Sequence, residues 1–332
     1  MITLGIETSC DETAAALVRD GREVLADVVS TQIDIHRRWG GVVPELASRN
    51  HVVQVMPVID EAFSRAKLSL DDVGQIAVTS GPGLQGALLV GLEVGKAIAA
   101  ARGLPFVGVN HLEGHLLAAR LMPEPPSAPF LGLVVSGGHT TLYDVPTLGT
   151  YLKLGTTRDD AAGEAYDKVA KLLGLPYPGG LPIDQLAQQG DPKAIAFPRA
   201  LPARDVLDWS FSGLKTAVSL HVKQHGVPQG QALADLCASF QEAVADALTK
   251  KLQLAVKKHR ANSVVLCGGV AANSRLRALT KQRVEEEGAR LYLPSIALCT
   301  DNGAMIAVAG HEALSRGLRS ELSLDADPNW RL

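Results

Sequence analysis

The hydrophobic positions of this chain fall into two rhythms. Short apolar or alternating runs cover Ile2–Glu7, Ala14–Arg19, Glu23–Val29, Gln75–Thr79, Pro105–Val109, Leu131–Val135, Thr140–Val145, Tyr151–Leu154 and Ser263–Cys267, and each predicts a strand. Asp20-Gly21 between two of them is a hairpin signal, since both residues tolerate a tight turn. Helical spacing marks Pro44 to about Lys67, Leu84–Ala101, about Glu164–Leu173, about Gln229–His259 and about Asn273–Glu286. In the first of these, Val52, Val53, Val55, Met56 and Ile59 read as one side, and Pro57 is expected to kink or divide the helix. Residues 190–228, with Pro192, Pro198, Pro202, Gly213, Gly226 and Pro228, read as the least regular stretch.

The two halves repeat one plan: strand, polar or glycine loop, hairpin, helices, then strand, glycine loop and helix. The parallel is in pattern and not in identity. Strands mixed with long helices predict an α/β protein. Two lobes of similar plan predict a central cleft suited to a phosphorylated ligand, and 332 residues are enough for both.

Composition narrows the choice. The chain is 46% hydrophobic and 20% charged, which excludes a disordered polymer. Its 32 glycines against 4% aromatics favour tight loops over a flat aromatic binding surface. A net charge of −3 argues against a strongly basic nucleic-acid binder while leaving room for a local basic face. Cys10, Cys237, Cys267 and Cys299 have no C-x-x-C spacing, so neither disulfides nor a zinc ribbon is expected. The start of the chain lacks a secretory signal pattern, and Gln85, Glu93 and Lys96 interrupt the longest apolar stretch. We expect no membrane span and a cytoplasmic, reduced setting.

The sharpest chemical signal is His111-Leu112-Glu113-Gly114-His115. Asn110 suits an N-cap and Glu113 the third helical position of a capping box. A helix starting there puts both imidazoles on one face, where they can share a divalent ion. His221 and His225 have the same spacing without a glycine loop nearby, so spacing alone decides little. A metallopeptidase would need Glu directly after the first His, where Leu112 stands; Glu113 lies about 200° round the helix. Asp301, between an apolar segment and a predicted helix, is the candidate third ligand. Two His and one carboxylate with open positions suit non-haem iron, with zinc as the alternative. Helix capping is the competing role for Asp301, and one side chain cannot fill both equally well.

Three glycine loops follow apolar strands: Ser80-Gly81-Pro82-Gly83, Ser136-Gly137-Gly138-His139 and Gly268-Gly269-Val270-Ala271-Ala272-Asn273. Their backbone N–H groups suit phosphate or carboxylate oxygens, although none is a P-loop or a dinucleotide fingerprint. Asp167 and Asp184 flank the Pro178-Gly179-Gly180 turn and could accept from ribose hydroxyls. Basic residues gather at Lys250-Lys251 and Lys257-Lys258, at Arg275, Arg277, Lys281 and Arg283, and at Arg37-Arg38 beside Trp39. Solvated faces explain most such patches, and a nucleic-acid substrate would need one of them.

Together Gly5–Thr13, His111–His115, Leu133–Thr140, Phe211-Ser-Gly-Leu-Lys215 and Cys267–Asn273 closely resemble the TsaD family of tRNA threonylcarbamoyladenosine transferases, from about Ile2 to Gly310. Trp209 and Tyr166, where the family pattern has Phe, and Leu181 after the Gly-Gly pair depart from it while keeping shape or apolarity. The resemblance implies two RNase-H-like lobes of the actin, sugar-kinase and Hsp70 (ASKHA) type. We expect an N-terminal lobe over 1–110, completed by a C-terminal helix at 304–332, and a C-terminal lobe over 111–303. The implied activity is transfer of threonylcarbamoyl from threonylcarbamoyl-AMP to N6 of adenosine 37 in tRNAs reading ANN codons. His111, His115 and Asp301 would hold one divalent metal per subunit, iron(II) in the first instance. Val134, Val135, Ser136, Gly137 and Gly138 would hold the adenylate, and Asp167, Gly180, Asp184 and Asn273 its nucleoside. Asp11 and Glu12 are the catalytic candidates in the first loop. Implied partners are the tRNA anticodon loop, an inert TsaB-like paralogue docking on the first lobe's helices, and a small TsaE-like ATPase.

Three other readings compete. A sugar or acetate kinase on the same fold would need a catalytic Asp and Mg-ATP, and two helical His would be an odd addition. An inert scaffold would be expected to lose the histidines. A metallopeptidase is opposed by Leu112.

Overall fold

The computed structural model describes residues 1–201 and 206–332. Pro202, part of the stretch expected to be irregular, lies outside the described residues. The chain forms two compact units, one of Met1–Pro125 with Ala297–Leu332 and one of Pro126–Ile296. His111, His115 and Asp301 therefore belong to the same unit.

The first unit is built on strands β1 (Ile2–Glu7), β2 (Glu12–Arg19), β3 (Glu23–Thr31), β4 (Val73–Gly81) and β5 (Phe106–Asn110), in the order β3-β2-β1-β4-β5. β1 pairs antiparallel with β2 and parallel with β4, and its residues from Thr3 onward are buried. Asp20 and Gly21 take φ of 51° and 62°, and the expected hairpin turn closes there. Helices α1 (Ile33–Arg37), α2 (Pro44–Ala66), α3 (Gln85–Arg102) and α4 (His111–Leu117) follow in this unit. α2 runs unbroken through Pro57 and buries Ala47, His51, Val55, Val58, Ile59 and Ala62. Val52, Val53 and Met56 are exposed, so the apolar residues of α2 do not share one side as expected.

The second unit repeats the topology. Strands β6 (Phe130–Val135), β7 (Thr140–Thr147), β8 (Thr150–Thr156), β9 (Ser263–Cys267) and β10 (Arg290–Tyr292) are ordered β10-β9-β6-β7-β8. β6–β7 and β7–β8 are antiparallel, β6–β9 and β9–β10 parallel, which is the same RNase-H-like arrangement. Its helices are α5 (Ala162–Leu172), α6 (Gly180–Ala187), α7 (Ser212–His225), α8 (Gly230–His259) and α9 (Ser274–Glu286). α7 lies inside the stretch expected to be irregular. Asp159 orders its start, accepting from the backbone N–H of Phe211 and from the Ser210 and Ser212 hydroxyls.

A short helix, α10 (Ile296–Cys299), precedes α11 (Gly303–Ser315). α11 packs on the first sheet through small residues. A Cβ on Gly5 would run into the Gly303 carbonyl, and one on Gly303 would meet the backbone of Ala15 and Ala16. The helix ends at Ser315, short of the expected 332, and Gly317 follows at φ 83°. The remaining tail lies along β5 and the end of β4. Ser320 donates its N–H to the Phe106 carbonyl, and Asp327 donates its own to that of Ser80.

Candidate metal centre and nucleotide residues

α4 begins where β5 ends. Asn110 closes β5, and its side-chain oxygen accepts the Leu112 N–H at 2.9 Å. This cap fixes the first turn, and with it the direction of His111 and, one turn on, His115. Both rings are buried, with centroids 4.7 Å apart and planes at 79°. Glu113 faces away, 3.8 Å from Arg316.

Asp301 arrives from the other end of the chain. Its Oδ1 lies 3.2 Å from His115 Nε2 and 3.5 Å from His111 Nε2. Asn302, not Asp301, caps α11, accepting the Met305 N–H at 2.8 Å. The capping role expected as the alternative for Asp301 is thus taken by its neighbour.

The donor set fits a divalent ion. Donors bound at about 2.1 Å to one ion sit roughly 3.0–3.4 Å apart, close to the 3.2 and 3.5 Å between Asp301 Oδ1 and the two Nε2 atoms. Both His115 ring nitrogens are buried without a hydrogen bond, although Asp301 is adjacent. Leaving a buried polar atom unsatisfied costs about 1–3 kcal/mol, and a cation among the three side chains would remove that cost at Nε2. Among the described residues this is the His/Cys/Asp/Glu group that could hold a metal. His221 and His225 also sit close, with centroids 4.5 Å apart, yet bring no carboxylate with them.

Electrostatics point the same way. Burial pushes the His111 imidazole toward its neutral form, but Asp301 and Glu7 outweigh it and raise its pKa. Burial likewise acts to raise the Glu7 carboxyl, and His111 holds it below its usual range. A proton held between two carboxylates occupies a place where a cation also fits.

The acidic loop lies nearby. Burial, Asp11 and Asp301 raise the Glu12 carboxyl well above its usual range, while Thr31 donates its hydroxyl to it at 3.2 Å. The Cys10 thiol is driven well above its usual range by burial and by Asp11, which argues against a thiolate nucleophile. The loop is tied to α2 by His51, whose Nε2 donates to the Cys10 carbonyl at 2.9 Å while its Nδ1 accepts from Thr13 Oγ1 at 2.8 Å.

The candidate nucleotide residues all lie in the second unit. Val134 and Val135 end β6, and Ser136 to His139 close the hairpin into β7, with the Ser136 N–H donating to the His139 carbonyl at 2.7 Å. Gly163, at the start of α5, abuts this turn and donates to the Ser136 carbonyl at 3.2 Å. Gly137, Gly138, Gly180 and Gly269 have open space where a Cβ would stand, leaving backbone accessible. Asp167 accepts the Gly179 N–H at 2.7 Å and so holds the glycine turn. Asp184 accepts from Ser274 Oγ at 2.7 Å and Asn273 Nδ2 at 3.3 Å. Asn273 caps α9 through Leu276 N and also donates to Gln241 Oε1 at 2.7 Å and Tyr166 Oη at 3.4 Å. Gln241, Ser274 and the Tyr166 hydroxyl were not read as site residues. Their partners lie far apart in sequence, so no local pattern marks them.

The third glycine loop is not open to a phosphate. A Cβ on Gly81 would strike the Asp327 carbonyl, and the Gly83 N–H donates to the Pro328 carbonyl at 3.2 Å. The chain's own tail fills that place.

Two RNase-H-like sheets, with two buried histidines beside Asp301, define a protein of the actin, sugar-kinase and Hsp70 type with a candidate metal centre. Solved structures with this fold include HypF of T. kodakarensis, at TM-score 0.63 and 14% identity over 95% of this chain and 48% of that one. Component A of the Acidaminococcus fermentans (R)-2-hydroxyglutaryl-CoA dehydratase matches at TM-score 0.56 and 16% identity, over 95% and 99%. The TsaD family model, tRNA N6-adenosine threonylcarbamoyltransferase, matches residues 23–308. The protein of that name from Anaeromyxobacter dehalogenans strain 2CP-1 is 65% identical over 99% of both chains. That of Geobacter metallireducens is 57% identical over 100% of this chain and 97% of its own. The chain belongs to the TsaD family.

Proposed function

We propose that this chain transfers the threonylcarbamoyl group of threonylcarbamoyl-AMP to N6 of adenosine 37 in tRNAs that read ANN codons, releasing AMP, in the cytoplasm. Membership of the family supports the reaction. His115, buried beside Asp301 with both ring nitrogens unbonded, is the observation that carries the metal reading. His111, His115 and Asp301 would hold one divalent ion, and a two-His, one-carboxylate set with open positions favours iron(II) over zinc. When bound, the ion supplies charge stabilisation for the donor's oxygens.

The exocyclic amine is a weak nucleophile, and the donor is an already activated mixed anhydride. The protein's work is then to orient and polarise, without a covalent intermediate. The high thiol pKa of Cys10 suits that route, and so does Ser136, whose hydroxyl accepts the His139 N–H at 3.2 Å. Residues 134–138 would receive the adenylate, with Gly137 and Gly138 offering exposed backbone. Asp167, Gly180, Asp184 and Asn273, already fixed to one another's helices, would receive its nucleoside. Asp11 and Glu12, whose carboxyl burial raises above its usual range, are proposed for the reacting end.

The tRNA anticodon loop, a TsaB-like paralogue and a TsaE-like ATPase are the proposed partners. α2 suits the paralogue, since Val52 and Val53 are 65% and 66% exposed on one apolar stripe with Met56. Among the described residues no helix is long and apolar enough to cross a membrane.

The test is His111→Ala, assayed for bound metal and for transfer to tRNA. Loss of both by at least a hundredfold, with circular dichroism unchanged, is expected. Full transfer by the metal-free variant would remove the mechanism.

A further inference from the structure

Glu7 ends β1 with a carboxylate that has no solvent exposure. Such a group is costly to bury unless its oxygens are occupied. Here Oε1 accepts the Ser9 N–H at 2.5 Å, and Oε2 accepts the Thr79 hydroxyl at 2.5 Å. Oε2 also lies 3.0 Å from His111 Nδ1. The carboxylate is thus held by two donors from β4 and the first loop, and its third contact is the ring of a candidate metal ligand. Ser9 Oγ, 3.2 Å from the same Nδ1, adds to the constraint.

A carboxylate only accepts, so the proton at this contact sits on His111 Nδ1. That leaves Nε2, 3.5 Å from Asp301 Oδ1, as the nitrogen whose lone pair can meet an ion. His115 has no such partner, because both its ring nitrogens lack a hydrogen bond. The two imidazoles are therefore not equivalent: only His111 has a carboxylate within hydrogen-bond distance of its Nδ1.

We propose that Glu7 is the positioning residue of the metal centre. It selects the His111 tautomer, fixes the ring plane and raises the basicity of Nε2. The proposal rests on the metal reading above and is tested apart from it. Glu7→Gln keeps an acceptor for His111 but removes the charge, and Thr79→Val keeps the charge but loosens its hold.

Metal-free proteins would be checked for fold by circular dichroism and melting temperature. They would then be titrated with cobalt(II) and zinc(II) in competition with a chromophoric chelator. The parent should bind one ion per chain and His115→Ala none; absence of binding by the parent would sink the metal reading itself. With the parent binding, Glu7→Gln should bind 10–100-fold more weakly, with an altered cobalt visible spectrum, and Thr79→Val several-fold more weakly. A merely structural Glu7 would lower the melting temperature of the apo-protein and leave the affinity and spectrum of the folded variant unchanged. That result, or unchanged affinity in both variants, overturns the proposal. If Glu7→Gln fails to fold, Thr79→Val decides alone.

Discussion

At the scale of the residue, neighbouring side chains divide tasks that one could not perform together. Asn302 caps α11 while Asp301 lies beside the histidines; Asn110 caps α4 while Glu113 lies 3.8 Å from Arg316. A third acid, Asp27 in β3, also serves the start of α11, accepting the Gly303 N–H at 3.1 Å. Burial outweighs that bond and the one to Ala304 and pushes its pKa up to about 6. Between about pH 4 and 6 the folded chain keeps a proton that the unfolded chain has released. Stability therefore falls as pH rises through that window and stays lower above it. Asp27→Asn keeps the acceptor and removes the charge. It should match the parent near pH 4 and exceed it by about 1–3 kcal/mol at pH 7.5. Urea denaturation at both values checks this, and an equal difference at the two pH values would refute it.

At the scale of the element, α11 can place Asp301 near the histidines only because it lies close on the sheet. Gly5 and Gly303 make the approach possible. Gly5→Ala would force the helix outward, at a cost of about 1–3 kcal/mol for an overpacked contact. Asp301, two residues before the helix, should move with it, so metal affinity should fall more than tenfold while His111 and His115 remain. Isothermal titration with zinc, beside a thermal melt, separates the two effects; unaltered affinity would mean that the approach does not set the site. None of this was legible locally, whereas much else was. The strands β1 to β9, the Asp20-Gly21 turn and α8 follow from periodicity and turn chemistry within a few residues of sequence, whereas the three-residue β10 is too short to show a period. The His111–His115 pair follows from helical spacing. α6 was missed because Pro182 reads as a breaker, although a first turn tolerates it. The Asn273, Gln241, Tyr166 and Asp184 cluster and the tail over Gly81 join residues far apart in sequence and have no local signature. α2 misled for another reason: assigning apolar residues to the core fails where an apolar stripe faces solvent.

At the scale of the whole molecule, the same strand order occurs twice, and each copy gathers a different set of candidate residues. One sheet ends at the His-His-Asp group and the acidic loop; the other ends at glycine turns and a polar cluster built on Asn273. The repetition of pattern without identity in the sequence matches this: topology needs only periodicity and turns, while each site needs its own side chains. Shared topology also leaves the outer faces free to differ, and on α2 Val52, Val53 and Met56 stand exposed. In a chain of net charge −3, an apolar face of this kind suits association by surface burial more than by charge. The double variant Val53→Glu, Met56→Glu tests that face. Because both side chains are exposed, the melt of the isolated chain should shift by less than about 1 kcal/mol in stability. If the proposed paralogue docks there, two carboxylates in the desolvated contact should weaken its binding at least a hundredfold, as read by analytical ultracentrifugation of the purified pair. Metal content of the isolated chain should not change. Undiminished association would move the docking face elsewhere, and a destabilised monomer would show that the stripe belongs to the fold.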